Sequence, residues 1–161
     1  MGKYATAIVI IASAACASPV APSGQDAPVP IVQVDAAVQP AWLMLRSMPV
    51  APWADGKSVA AWLDSLPLTE IRAEDLAPGY AALYRGNGLI VVSTDLLRDT
   101  TAAVAGYLAH EARHAEGYAH DCDPYRDLAS TPWGPWKVHQ AVLEWAGDTT
   151  RALSLNDSLC D

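Results

Sequence analysis

The stretch His110-Glu111-Ala112-Arg113-His114-Ala115-Glu116-Gly117-Tyr118-Ala119-His120 decides how the rest of the chain is read. On an α-helix, residues four apart lie one turn apart on the same face, so His110 and His114 reach one ion together, with Glu111 beside them. Two histidines leave a zinc ion short of a third protein ligand. The sequence offers His120 and Glu144 for that role. Gly117 favours His120, because a glycine just past a helix end takes the left-handed conformation that reverses the chain.

HEARHAEGYAH matches the pattern HExxHxxGxxH at every specified position, and on these residues the chain resembles the metzincin superfamily of zinc endopeptidases. The resemblance implies an α+β, zincin-like domain with a short mixed sheet, an active-site helix and a long C-terminal helix. It implies Zn2+ held by His110, His114 and His120, and Glu111 as the general base that takes a proton from water and later delivers one to the leaving amine. The implied partner is a peptide or protein substrate. More loosely, the resemblance extends to an edge strand, Leu89 to Ser93, ahead of the active-site helix. The methionine-containing turn that metzincins carry downstream of the motif has no counterpart, since Met1, Met44 and Met48 all lie upstream. The HEARH stretch also resembles small bacterial envelope proteins.

Glu144 rests on a different resemblance: Glu144-Trp145-Ala146-Gly147-Asp148 is similar to the ExxxD helix of gluzincin peptidases, in which the glutamate binds zinc. The alternative for Glu144 is a solvated acid, because it projects away from the centre of its helix's apolar face. Asp121 is a candidate for holding His120 from behind, with a plain surface acid as the alternative. Asp121, Asp123 and Asp127 lack the regular spacing of a calcium loop. Tyr118, Tyr125, Arg113 and His139 are candidate donors to a developing oxyanion.

Outward from the motif, Thr100 to Glu116 reads as a helix capped by Asp99, and Trp136 to Leu155 as one long amphipathic helix presenting Val138, Ala141, Val142, Trp145, Thr149, Ala152 and Leu153 on one face. Tyr80 to Tyr84 and Leu89 to Ser93 flank Arg85-Gly86-Asn87-Gly88, whose Asn-Gly pair suits a tight hairpin. Thr69 to Asp75 alternates as a half-buried strand, and Ala77-Pro78-Gly79 reads as a turn. Ala41 to Met48 and Lys57 to Leu66 read as short helices, the second starting near Asp55 or Gly56 and ending at Pro67, with Trp42, Leu45, Trp62 and Leu66 in the core. Together these predict a small mixed sheet backed by helices.

Residues 1–17 have the anatomy of a signal peptide: Lys3, then a largely apolar run from Ala5 to Ala15, then small residues through Ala17. The run is about half the roughly 20 residues a membrane-spanning helix needs. Ser13-Ala14-Ala15-Cys16 resembles a lipobox, which implies lipidation of Cys16 and the sole contact with a membrane; ordinary cleavage near Ala17 is the alternative. Residues 18–40 carry five prolines and read as an extended Pro/Ala-rich linker, leaving 41–161 as the catalytic domain. Export to the cell envelope or beyond leaves Cys122 and Cys160 free to pair as a disulfide in an oxidising compartment, against a free thiol pair or Cys122 as a metal ligand.

With 161 residues and 52% hydrophobic composition the chain has room for one domain with one core. Its 10 Lys and Arg against 18 Asp and Glu set a net charge of −8, which excludes nucleic acid as an expected partner. The leading expectation is an exported zinc metallopeptidase. The alternatives are a non-catalytic envelope protein with a structural zinc, closed by Asp121 or Cys122, and a hydrolase acting on a non-peptide amide.

Overall fold

The computed structural model describes residues 31–120 and 133–154. The leader with Cys16, most of the linker, and Asp121, Cys122, Asp123, Tyr125, Asp127 and Cys160 lie outside the described residues. The architecture is α+β: helices pack against a small mixed four-stranded sheet. The strands are β1 (Gln33–Val34), β2 (Glu70–Glu74), β3 (Ala82–Tyr84) and β4 (Leu89–Ser93), in the spatial order β1-β2-β4-β3. β1, β2 and β4 are parallel neighbours, and β3 runs antiparallel to β4 with Leu83 opposite Val91.

The hairpin forms where Asn-Gly requires it. Asn87 and Gly88 both have positive φ, 50° and 78°. Gly88 has a second reason to be glycine, since a Cβ there would lie 2.2 Å from the Pro67 carbonyl oxygen. β3, not Leu89–Ser93, is the edge strand on this side of the sheet. β4 lies between β2 and β3, and four of its five side chains are buried, as a strand covered on both faces requires.

Helices α1 (Gln39–Arg46), α2 (Val59–Asp64), α3 (Thr101–Ala115), α4 (Pro135–Trp145) and α5 (Thr149–Ser154) complete the described structure, with a 3-10 turn at Leu96–Arg98. α3 is alanine-rich, a composition of high helix propensity, and packs on α1, α4, β3 and β4, so it runs through the centre of the molecule. Its N-cap is Thr100 rather than Asp99: the Thr100 hydroxyl accepts the Ala103 N–H at 3.2 Å. Asp99 instead accepts the Thr100 N–H and pairs with Arg151 at 2.5 Å. α2 likewise starts from Ser58, whose hydroxyl accepts the Ala61 N–H at 3.1 Å.

Trp42, Leu45, Trp62 and Leu66 are buried, and the core they share with Leu68, Ile71, Ile90, Leu108, Val138 and Val142 joins the sheet to all of the first four helices. Full burial of each such aliphatic side chain stabilises by roughly 1.5–3 kcal/mol. Two boundaries differ from expectation. Residues 33–34, expected in the linker, pair with β2, and Val38 is buried, so ordered structure begins ahead of Pro40. The C-terminal helical segment is two helices: α4 ends at Trp145, Gly147 takes a φ of 81°, and α5 restarts at Thr149. No helix among the described residues is long and apolar enough to cross a membrane.

Candidate metal centre

The helix α3 carries His110, Glu111 and His114 on its last turns, and its termination delivers His120. The Gly117 N–H bonds the His114 carbonyl at 2.9 Å, and Gly117 takes a φ of 92°, the left-handed conformation expected of it. The chain then folds back so that His120 Nε2 lies 3.3 Å from His110 Nε2 and 3.1 Å from His114 Nε2. One ligand nitrogen from each of the three residues lies within 4.8 Å of the others. The three histidines therefore form a cluster able to hold a metal ion.

The donor set fits a tetrahedral ion. Nitrogens each about 2.0–2.1 Å from a tetrahedral zinc stand roughly 3.3 Å apart, close to the two separations observed. Protonation states agree. Burial, reinforced by His139, His114 and His120, holds His110 well below its ordinary pKa. Burial and the neighbouring His114 lower that of His120. Both rings are thus neutral near pH 7, with a lone pair to offer. His114 Nδ1 lies 2.6 Å from the Tyr118 carbonyl oxygen, which can only accept, so Nδ1 carries the proton and Nε2 is left free.

Glu111 is 5% exposed, and its two oxygens have different neighbours. Oε2 accepts the Tyr84 backbone N–H at 2.7 Å, and Oε1 lies 4.0 Å from His110 Nε2. Burial pushes the carboxyl up to about pKa 7, against the opposing pull of the Tyr84 N–H. A carboxylate tethered by one oxygen and poised near neutrality with the other is equipped to exchange a proton beside the histidine cluster.

These groups open onto a cleft of about 610 Å³ between β3 and the turn after α3. Tyr84, Tyr107, Tyr118 and Trp136 help to line it. Tyr107 has its pKa raised by burial, then by the charges of Asp99 and Glu111, so it remains a neutral phenol. Trp136 stands with its ring 4.3 Å from that of His110. Neither Tyr107, Tyr84 nor Trp136 is singled out by the sequence reading. Helical spacing alone places Tyr107 next to His110, three residues away, whereas Tyr84 and Trp136 arrive from other elements.

Other sequence candidates lie elsewhere. Glu144 is exposed on α4, accepts from Gln140 Nε2 at 2.9 Å, and takes no part in the cluster, so the third nitrogen belongs to His120. Arg113 is turned away from the cleft, bonded to the Trp133 carbonyl oxygen and Glu116. His139 is buried on α4, stacked on Trp136 and edge-on to Tyr107. Of the candidate oxyanion donors among the described residues, Tyr118 alone lines the cleft. Compared with known protein families, with characterised proteins and with solved structures, the chain matches none, so the reading of this centre rests on its own geometry.

Proposed function

We propose that the chain is a metzincin-like zinc peptidase, with His110, His114 and His120 as ligands and Glu111 as general base. The observation that carries this reading is the position of Glu111: a buried carboxylate with Oε2 fixed by Tyr84 and Oε1 4.0 Å from a ligand nitrogen, at the wall of an open cleft. A purely structural metal site has no use for such a group. When bound, zinc supplies Lewis acidity, lowering the pKa of water toward about 7 and polarising a carbonyl. Glu111 Oε1 takes the proton from the attacking water and later returns one to the leaving amine, while the Tyr84 N–H keeps the carboxylate from rotating.

A peptide substrate suits the cleft's edge. On either side of β3, the Arg85 N–H donates to the Leu89 carbonyl and the Ala81 carbonyl accepts the Ser93 N–H, so by antiparallel alternation the backbone groups of Ala82 and Tyr84 point away from β4. Ala82 and Tyr84 both line the cleft, and Ala82 offers its N–H and C=O to an extended chain. Export, through the leader read in residues 1–17, belongs to the same proposal, with peptides or unfolded proteins of the cell envelope as substrates.

The test compares wild type with Glu111→Gln for zinc content and for hydrolysis of an unfolded protein. Equal zinc with hydrolysis lost in the variant supports the proposal. Zinc-loaded wild type inactive on a broad peptide library overturns it in favour of a non-catalytic zinc protein.

A further inference from the structure

Arg113 fills a position that the HExxHxxGxxH pattern leaves unspecified, yet it is 3% exposed. A buried guanidinium costs several kcal/mol unless it is paired and hydrogen-bonded, and here Nε, Nη1 and one side of the guanidinium plane have partners. Nε donates to the Trp133 carbonyl oxygen at 2.8 Å, Nη1 donates to the Glu116 carboxylate, and the guanidinium lies 3.6 Å from the centre of the Tyr118 ring. The other oxygen of Glu116 accepts Trp62 Nε1 at 2.9 Å. The Tyr118 carbonyl, on the residue whose ring Arg113 covers, receives His114 Nδ1 at 2.6 Å.

His110 and His114 are placed by the helix itself. His120 is not: it lies beyond the helix end, exposed, two residues past Tyr118. Gly117 permits the chain to reverse there but does not fix where residue 120 arrives. We propose that Arg113 is the positioning residue for the third ligand, clamping Glu116 and Tyr118 from behind so that His120 meets the other two nitrogens. A lysine at 113 would keep the charge but lose the planar fork that reaches Trp133 and Glu116 while lying on Tyr118. The proposal rests on the metal reading above and concerns the assembly of the site rather than the reaction.

The experiment measures zinc affinity by chelator competition, and the visible spectrum of the cobalt-substituted protein, in the full chain. The proteins are wild type, Arg113→Gln, Arg113→Lys, His120→Ala and the double variant Arg113→Gln/His120→Ala. Arg113→Gln is expected to weaken zinc binding on the order of 10- to 100-fold, the effect of losing a partner that orients a ligand, and to alter the cobalt spectrum. Arg113→Lys does not restore either. In the His120→Ala background, Arg113→Gln produces no further loss, because Arg113 acts through His120. A merely structural arginine would weaken binding equally in both backgrounds, and that result overturns the proposal. So does an Arg113→Gln protein with wild-type affinity and spectrum.

If Arg113→Gln fails to fold by circular dichroism, Tyr118→Leu takes its place. It removes the ring under the guanidinium and must show the same dependence on His120. Failure of the zinc reading has a different signature: wild type takes up no zinc, or His120→Ala binds as tightly as wild type. Either of those overturns both proposals, whereas His120-dependent binding with an indifferent Arg113 overturns this one alone.

Discussion

The backbone N–H of Tyr84, on the edge strand β3, donates to Oε2 of Glu111 at 2.7 Å, tying the sheet to the centre of the site. The N–H is free for this because it faces away from β4. Proline is tolerated on an edge strand where its missing N–H faces outward, so Tyr84→Pro removes the donor and spares the ladder. With Tyr84→Ala as the control for the lost ring, Tyr84→Pro is expected to reduce hydrolysis roughly ten- to a hundred-fold at unchanged zinc content, the worth of a hydrogen bond to a charged group. Equal rates in the two variants would show that Glu111 needs no tether.

Gly117 and Gly147 make a matched pair. Both follow a helix end with positive φ, 92° and 81°, and a Cβ at either meets nothing within 4 Å. Alanine at either position should therefore cost roughly 1–2 kcal/mol from backbone conformation alone, measured by urea unfolding. Gly117→Ala alone should also weaken zinc binding, because the turn it distorts leads to His120. Matching zinc affinities in the two variants would contradict the role assigned to the turn.

Gly106 lies under the His139 ring. A Cβ there would sit 2.3 Å from His139 Cδ2 and 2.5 Å from Nε2. In an open helix, glycine to alanine stabilises by about 1 kcal/mol, but here the collision between α3 and α4 reverses the sign. We expect Gly106→Ala to destabilise by about 1–3 kcal/mol, typical of an overpacked contact. Adding His139→Ala should recover part of that loss. A more stable Gly106→Ala single variant would mean that α4 moves aside at little cost.

Burial depresses His139 to a pKa of about 3 from the ordinary 6.5, so its ring is neutral in the folded protein. The unfolded chain takes up a proton below pH 6.5 and the folded chain does not until about pH 3. The stability His139 contributes is thus fully present above pH 6.5 and lost at about 1.4 kcal/mol per pH unit as the pH falls toward 3. Glu111, raised to about 7 from 4.5, works in the opposite direction: its contribution is present below pH 4.5 and lost as the pH rises through 7. The comparison that isolates His139 is wild type against His139→Leu, both stripped of metal, unfolded in urea at pH 7 and pH 5. The difference in stability between them should shrink or reverse toward acid. Parallel profiles would mean that the ring binds its proton equally in the folded and unfolded chains, so that burial does not depress it.

Several features of the site were readable from the chain alone because they are local. The four-residue spacing of His110 and His114, with Glu111 between them, is a property of any helix. The left-handed turn at Gly117 follows from the absence of a Cβ, and the hairpin at Asn87-Gly88 from the same freedom. Gly147 carried an equally local signal, but the apolar periodicity continuing past it into residues 149–153 masked the break between α4 and α5. β1 was hidden by its proline-rich surroundings: two residues make too short a pattern to register, and they become a strand only because β2 offers them a partner.

By itself, then, the sequence determined the α+β class, the helix that presents two histidines and a glutamate, and the reversal that makes His120 available. Only the tertiary structure gathered His120, and not Glu144, with His110 and His114, put β3 rather than β4 at the edge, delivered the Tyr84 N–H to Glu111 and Trp136 to the wall beside His110, and turned Arg113 away from the cleft. The reason is the range of the interactions. Helix spacing and glycine conformation are set within a few residues, whereas Tyr84, Trp136 and the partners of Arg113 are brought in by the packing of α3 against β3 and α4, which no short stretch of chain encodes.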